Sequence, residues 1–183
     1  MHHELGNLKG RYRSAINLCE MLHRWDDTAR ALRIAEQVLP DLRRDGSSLQ
    51  LCIMLTNMAA YNFALGQPEA AEAPLREAVY VVPRDGGHWH WCLLQGMAEL
   101  AATRGALADA ALVLGFTDRC FAGWIDGRQA TEEAQRNRMI ALIENGLPDG
   151  EGERLLQQGQ GLSLFEADHL AGFSTPERDR LKL

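Results

Sequence analysis

The string His88-Trp89-His90-Trp91-Cys92 holds the side chains best suited to chemistry in this sequence, two imidazoles beside a thiol, which are donor types that hold metal ions. Spacing argues against an ion shared by the histidines. On a helix of 3.6 residues per turn, His88 and His90 point about 200° apart, so only an extended segment would bring both to one metal. The remaining reading is an aromatic cluster at a helix start, with the tryptophans packing neighbouring helices together. The four cysteines, Cys19, Cys52, Cys92 and Cys120, are widely separated and lack the C-x-x-C pairing of a zinc or redox site. They read as free thiols, most of them buried. No metal and no other cofactor is expected.

Carboxylates pair at Asp26-Asp27, at Glu132-Glu133 and at Glu151 with Glu153, each near an expected helix N-terminus, where the helix dipole accounts for them. General acid and base work would need burial or a close partner to shift a pKa, and the sequence shows neither. Gly150-Glu151-Gly152 has the outline of a dinucleotide loop without the strand that must precede it. No Ser/His/Asp or Cys/His set can be assembled, and nothing fits the phosphate-cradling G-x-x-x-x-G-K-[ST] loop. No catalytic residue and no enzymatic activity is expected. A formal charge of −6 and a pI near 5.5 repel phosphate backbones, and Lys occurs only at Lys9 and Lys182. Direct nucleic-acid binding is therefore not expected. No apolar run approaches the ~20 residues of a membrane span, so a soluble, cytoplasmic protein with no membrane partner is expected.

Apolar residues recur three or four apart along most of the 183 residues, and β-branched alternation is missing, which predicts an all-α chain. Helices are predicted at 4–23, with Leu8, Tyr12, Ile16, Cys19 and Leu22 on one stripe, and from a cap at Asp26 or Asp27 through Leu42, with a kink or break at Pro40. A turn follows at 43–48. The next helix, 49–65, is apolar on nearly every side and must have neighbours on both flanks. It ends at Gly66; Pro68 opens the following helix, in which Pro74 predicts a bend. After a turn at 83–87 come helices at 89–104 and 107–123, split at Gly105, then 131–145, 151–158 and 163–172, and a short end after Thr175 and Pro176. Ser163 and Glu166 form a capping box for the last of these helices.

Two segments repeat. Leu55, Met58, Ala59, Gly66, Ala71, Leu75 and Ala78 are followed 39 residues later by Leu94, Met97, Ala98, Gly105, Ala110, Leu114 and Thr117. The first segment, ending at Pro83, resembles the tetratricopeptide consensus, in which small residues let two antiparallel helices approach. An upstream pair around Ala31 and Ala35 reads as a degenerate unit with Arg24 and Trp25 in place of the turn glycine. In order along the chain, Asn57-Met58-Ala59-Ala60-Tyr61, Ala64-Leu65-Gly66, Ala110-Ala111, Leu114-Gly115-Phe116-Thr117-Asp118, Thr131-Glu132 and Gly159-Gln160-Gly161-Leu162-Ser163 with Glu166-Ala167 resemble the C-terminal helical region of bacterial predicted ATPases and ATPase-type, winged-helix transcriptional regulators.

That resemblance implies a right-handed array of about three tetratricopeptide-like helix pairs over residues 1–126 and a C-terminal helical cap on the same array over 127–183. It implies a non-catalytic module of regulation or signalling that meets a protein or peptide partner, including an ATPase domain of the same regulator; the alternative is a free-standing adaptor. Carried over from such arrays, the concave face comprises Thr56, Ala60, Phe63, Gln95, Glu99 and Thr103. It lacks Lys and Arg, which disfavours capture of a peptide's terminal carboxylate, and packing against a neighbouring domain or the terminal cap accounts for the row equally well. The first apolar stripe, Leu8, Tyr12, Ile16 and Cys19, stands where a preceding unit would stack and offers a homodimer contact.

Overall fold

A computed structural model of the chain describes residues 2–83 and 87–172, with side chains from residue 10 onward. The described residues form α1 (His2–Arg24), α2 (Thr28–Asp45), α3 (Ser48–Ala64), α4 (Pro68–Val81), α5 (His88–Thr103), α6 (Leu107–Ala122), α7 (Ala130–Gly146), α8 (Glu151–Gly159) and α9 (Leu164–Leu170), and no strand. The all-α expectation holds. No helix among them is long and apolar enough to cross a membrane. The turn at residues 84–86, the side chain of Leu8 and the end after Thr175 and Pro176 lie outside the described residues.

Local chemistry sets the helix bounds. Ser47 accepts a hydrogen bond from the Gln50 amide at 3.2 Å while the Gln50 side chain accepts from the Ser47 amide at 3.3 Å, which starts α3 with a capping box. Pro68 opens α4 at a position where no intrahelical N–H is needed. Ser163 and Glu166 close the same reciprocal pair at the start of α9. Asp27 makes no side-chain cap and instead pairs with Arg30 at 3.8 Å. Of the kink or break predicted at Pro40, the break does not occur: α2 continues through Pro40 to Asp45. Pro40 is exposed, so water can reach the carbonyl that its missing N–H leaves without a partner.

The helices pair as α1 with α2, α3 with α4 and α5 with α6, and α3 also touches α1, α2, α5 and α7. That contact set explains why α3 is apolar nearly all round. The 39-residue repeat survives in three dimensions. Leu55 and Leu94, Ala59 and Ala98, Ala71 and Ala110, and Leu75 and Leu114 are all buried, and Gly66 and Gly105 take left-handed φ values of 69° and 85°. The turn bonds also match: Gly66 N–H to Phe63 O and Gln67 N–H to Asn62 O, against Gly105 N–H to Ala102 O and Ala106 N–H to Ala101 O. The first pair closes in the same way, with Asp26 N–H to His23 O and Asp27 N–H to Leu22 O. Asp26, at φ 62°, occupies the glycine position, one residue beyond the Arg24 and Trp25 expected there. Aspartate tolerates this conformation better than most residues that carry a Cβ.

α8 and α9 pack on α6, at the end of the row of pairs. The contact between α6 and α8 is backbone to backbone. A Cβ on Gly115 would meet Leu156 O at 2.0 Å, and one on Gly159 would meet Leu112 O at 2.1 Å. α7 does not stack at that end. It turns back across the row and touches α1, α3, α5 and α6.

Candidate functional site

Part of the proposed concave row, Gln95 and Glu99 of α5, lies under α7. Thr56, Ala60 and Phe63 of α3 and Gln95 and Glu99 of α5 are buried, and only Thr103 is exposed. The link between the row and α7 is polar. Gln95 donates to the backbone carbonyl of Glu132 at 2.6 Å and accepts from Arg128 at 3.0 Å. Glu99, 2% exposed, accepts from Gln135 at 2.9 Å and from Arg138 at 2.6 Å. Burial pushes the Glu99 carboxyl up, and its bonds to Arg138 and Gln135 pull the other way. Thr131 donates to Glu20 of α1. Asp118 of α6 accepts from Arg128 at 2.6 Å and from both arms of the Arg136 fork at 2.9 Å. The row itself carries no cation, as the sequence indicates; Arg128 and Arg138 are brought to it from elsewhere in the chain.

A second cluster sits at the start of α5. The His88 ring stacks on Trp124 with centroids 5.5 Å apart and meets Trp89 and Phe121 edge-on, while Trp91 lies edge-on to Phe121 and Trp124. This is the expected aromatic cluster. Its polar side is unexpected. Cys92, one turn along from His88, places Sγ 3.7 Å from His88 Nε2 and 3.7 Å from Glu132 Oε1. Burial pushes the Cys92 thiol well above its ordinary value, raises Glu132 and lowers His88, so burial favours the uncharged form of all three. His90 points away from this group, and its Nε2 lies 2.6 Å from Asp168 Oδ1 of α9. The two histidines thus go to different partners, as their spacing predicts. The other thiols are free, with Cys19 and Cys52 buried and Cys120 half-buried.

Two clefts open near these groups. One, of about 550 Å³, lies among the α1–α2 turn, the end of α3 and the start of α7, and includes His23, Thr28, Ala64, Thr131 and Arg138. The other, of about 310 Å³, is walled by Glu20, Gln50, Asn57, Trp89 and Glu132. Tyr12, Ile16 and Cys19, the stripe expected to stand open for a homodimer, are instead inside the core. The apolar side chains exposed here are Leu18, Met21 and, just beyond α1, Trp25. Comparison with family models, with curated proteins and with solved structures gives no match for this chain.

Proposed function

We propose that the chain is a non-catalytic protein-interaction module built as a tetratricopeptide-like array, the repeat region of an ATPase-type signalling or transcriptional regulator. The observation that carries this reading is the threefold recurrence of one helix–turn–helix unit, with the same pair of turn bonds and a left-handed residue at Asp26, Gly66 and Gly105. Stacked units of this kind present extended surfaces to protein partners. A free-standing adaptor that captures a peptide in the groove is the second reading, and the packing of α7 over Gln95 and Glu99 speaks against it. The row of Leu18, Met21 and Trp25 favours contact with a further folded unit at the α1 end of the array.

Reading the coding frame upstream of residue 1 is the first test. A nucleotide-binding domain encoded in the same frame supports the regulator, and a bounded frame supports the adaptor. Where that domain exists, calorimetric titration of it against this chain should show binding that is lost when Leu18 and Trp25 are both replaced with Ser. Binding unaffected by the pair of changes would remove the α1 end as the contact. Light scattering that shows only monomer at high concentration would remove the homodimer.

A further inference from the structure

His88 and Cys92 are four residues apart on α5 and so share one helix face; α7 delivers Glu132 to the same point. Nε2, Sγ and a carboxylate oxygen all lie within 4.8 Å of one another, the one such trio of His, Cys, Asp or Glu ligand atoms among the described residues. Zinc takes thiolate at ~2.3 Å and nitrogen or oxygen at ~2.0–2.1 Å in a tetrahedron. A thiolate and a nitrogen or oxygen donor are then about 3.5–3.6 Å apart, and a nitrogen and an oxygen about 3.3–3.4 Å. The two separations from Cys92 are 3.7 Å each. The geometry points to a binding site for a divalent transition-metal ion of the zinc type, held by His88 Nε2, Cys92 Sγ and Glu132 Oε1.

The surroundings support the assignment independently of those distances. Glu132 is 8% exposed, and no ion pair among the described residues includes it. Of the guanidinium groups nearby, Arg128 and Arg136 are committed to Asp118 and Arg138 to Glu99, while Arg13 lines the same cleft as Glu20 and Glu132 without an ion pair to Glu132 among the described residues. Glu20 adds a second carboxylate to the field that Glu132 feels. Keeping Glu132 as a buried carboxylate beside Glu20 without a paired cation is costly, which is why burial favours its uncharged form, and a bound divalent ion offsets that cost. The Gln129 amide donates to Glu132 Oε2 at 3.0 Å, which fixes the carboxylate and leaves Oε1 turned toward Cys92. The cleft lined by Glu20, Trp89 and Glu132 reaches the site on its Glu132 side. On binding, Cys92 and the protonated form of Glu132 give up their protons to solvent, and the ion is held by thiolate, carboxylate and the neutral imidazole of His88. Three protein donors leave one tetrahedral position for water. The ion joins α5 to α7, so it pins the helix that covers Gln95 and Glu99. None of this rests on the interaction-module reading.

The test is titration of the reduced protein with Co²⁺ alone under argon, in a background carrying His2→Ala and His3→Ala so that the terminal histidines take no metal. The expected result is one ion per chain, with a thiolate-to-cobalt band in the near ultraviolet and the intense visible bands of tetrahedral cobalt, both erased by Zn²⁺. Cys92→Ser should abolish the ultraviolet band. His88→Gln and Glu132→Gln should weaken binding at least about tenfold; Gln at position 132 still accepts from the Gln129 amide, so α7 keeps its start. Cys52→Ser and Cys120→Ser should leave the spectrum unchanged. The proposal fails if the parent shows no thiolate band, or if the band persists in Cys92→Ser and disappears with another cysteine. The parent spectrum remains decisive even if a variant misfolds.

Discussion

Replacing Gly115 with Ala tests whether α6 and α8 meet through their backbones. The new Cβ would stand 2.0 Å from Leu156 O, 2.8 Å from Leu156 C and 3.1 Å from Gly159 Cα. These are main-chain atoms, which cannot rotate aside, so α8 must retreat by more than ~1 Å to restore ordinary contact. That retreat also loosens the reciprocal seat of Gly159 on Leu112 O and the burial of Leu155. Overpacking of this kind costs about 1–3 kcal/mol, and the rigidity of the obstacle places Gly115 at the upper end. Alanine returns about 0.8–1.0 kcal/mol of helix propensity. The net loss is then about 1–2 kcal/mol, or roughly 3–6 °C in Tm for a chain of this size. Gly10, within α1, supplies the control, because a Cβ there meets nothing within 4 Å. The same substitution at Gly10 should stabilise by about 0.5–1 kcal/mol. Urea unfolding followed by far-ultraviolet circular dichroism, with slopes compared, gives both numbers. A Gly115→Ala midpoint equal to or above the parent's would refute the close helix crossing.

Asp26→Gly should stabilise by up to about 1 kcal/mol, because relief of the left-handed φ outweighs the added freedom of the unfolded chain; a thermal melt reads the sign. Ser163→Ala should cost about 0.5–2 kcal/mol through the lost capping box. Leu170→Ala should cost less than the 2–5 kcal/mol of a fully buried leucine, since Leu170 is half-buried while Ala167 and Ala171 carry the inner face; unchanged unfolding midpoints in both variants would remove the structural role of α9. Arg138→Met should destabilise by about 3 kcal/mol because Glu99 is left buried without its cation, and Glu99→Gln by much less because Arg138 still reaches water; equal losses in denaturant melts would contradict this asymmetry. Burial holds His23 below its ordinary value, with its Nδ1 2.9 Å from the Thr28 hydroxyl. A lowered histidine contributes stability that is present above about pH 6.5 and is lost as pH falls through the folded-state value, since the unfolded chain takes up the proton first. His23→Gln should therefore flatten the fall in urea midpoint between pH 7 and pH 5, and an unchanged slope would exclude His23 as its source.

Apolar periodicity made most of the helices legible, and small residues with turn glycines made their pairing legible. Both signals come from side chains that avoid water, and α1 to α6 pack mainly through such side chains. α7 shows where that logic stops. Its buried residues are Thr131, Glu132, Gln135, Met139 and Ile143, so its first two turns dock through hydrogen bonds and leave no apolar stripe to read. α8 and α9 pack on α6, while nothing in the pattern signals that α7 doubles back over the row. The turn residue of the first unit escaped for a related reason, because Asp26 reads as a cap and its left-handed backbone has no compositional mark. The thiol cluster was half visible. His88 and Cys92 stand at helical spacing within one string, yet comparison with His90 hides it, and the third group arrives from 40 residues further along.

The path of α7 also governs how the chain comes apart. A row of helix pairs that touch only their neighbours frays from its ends, one unit at a time. Here the Thr131–Glu20 bond spans 111 positions of sequence and ties the first helix to the seventh, while Gln95 and Glu99 tie the third pair to the same element. The first pair cannot peel away without surrendering bonds held by a helix that also grips the fifth and sixth. Loss of order becomes one concerted event in place of a progressive unzipping. In the reverse direction α7 has no seat until α1, α3 and α5 are aligned, so it closes late and its long loop entropy is met near the end of folding.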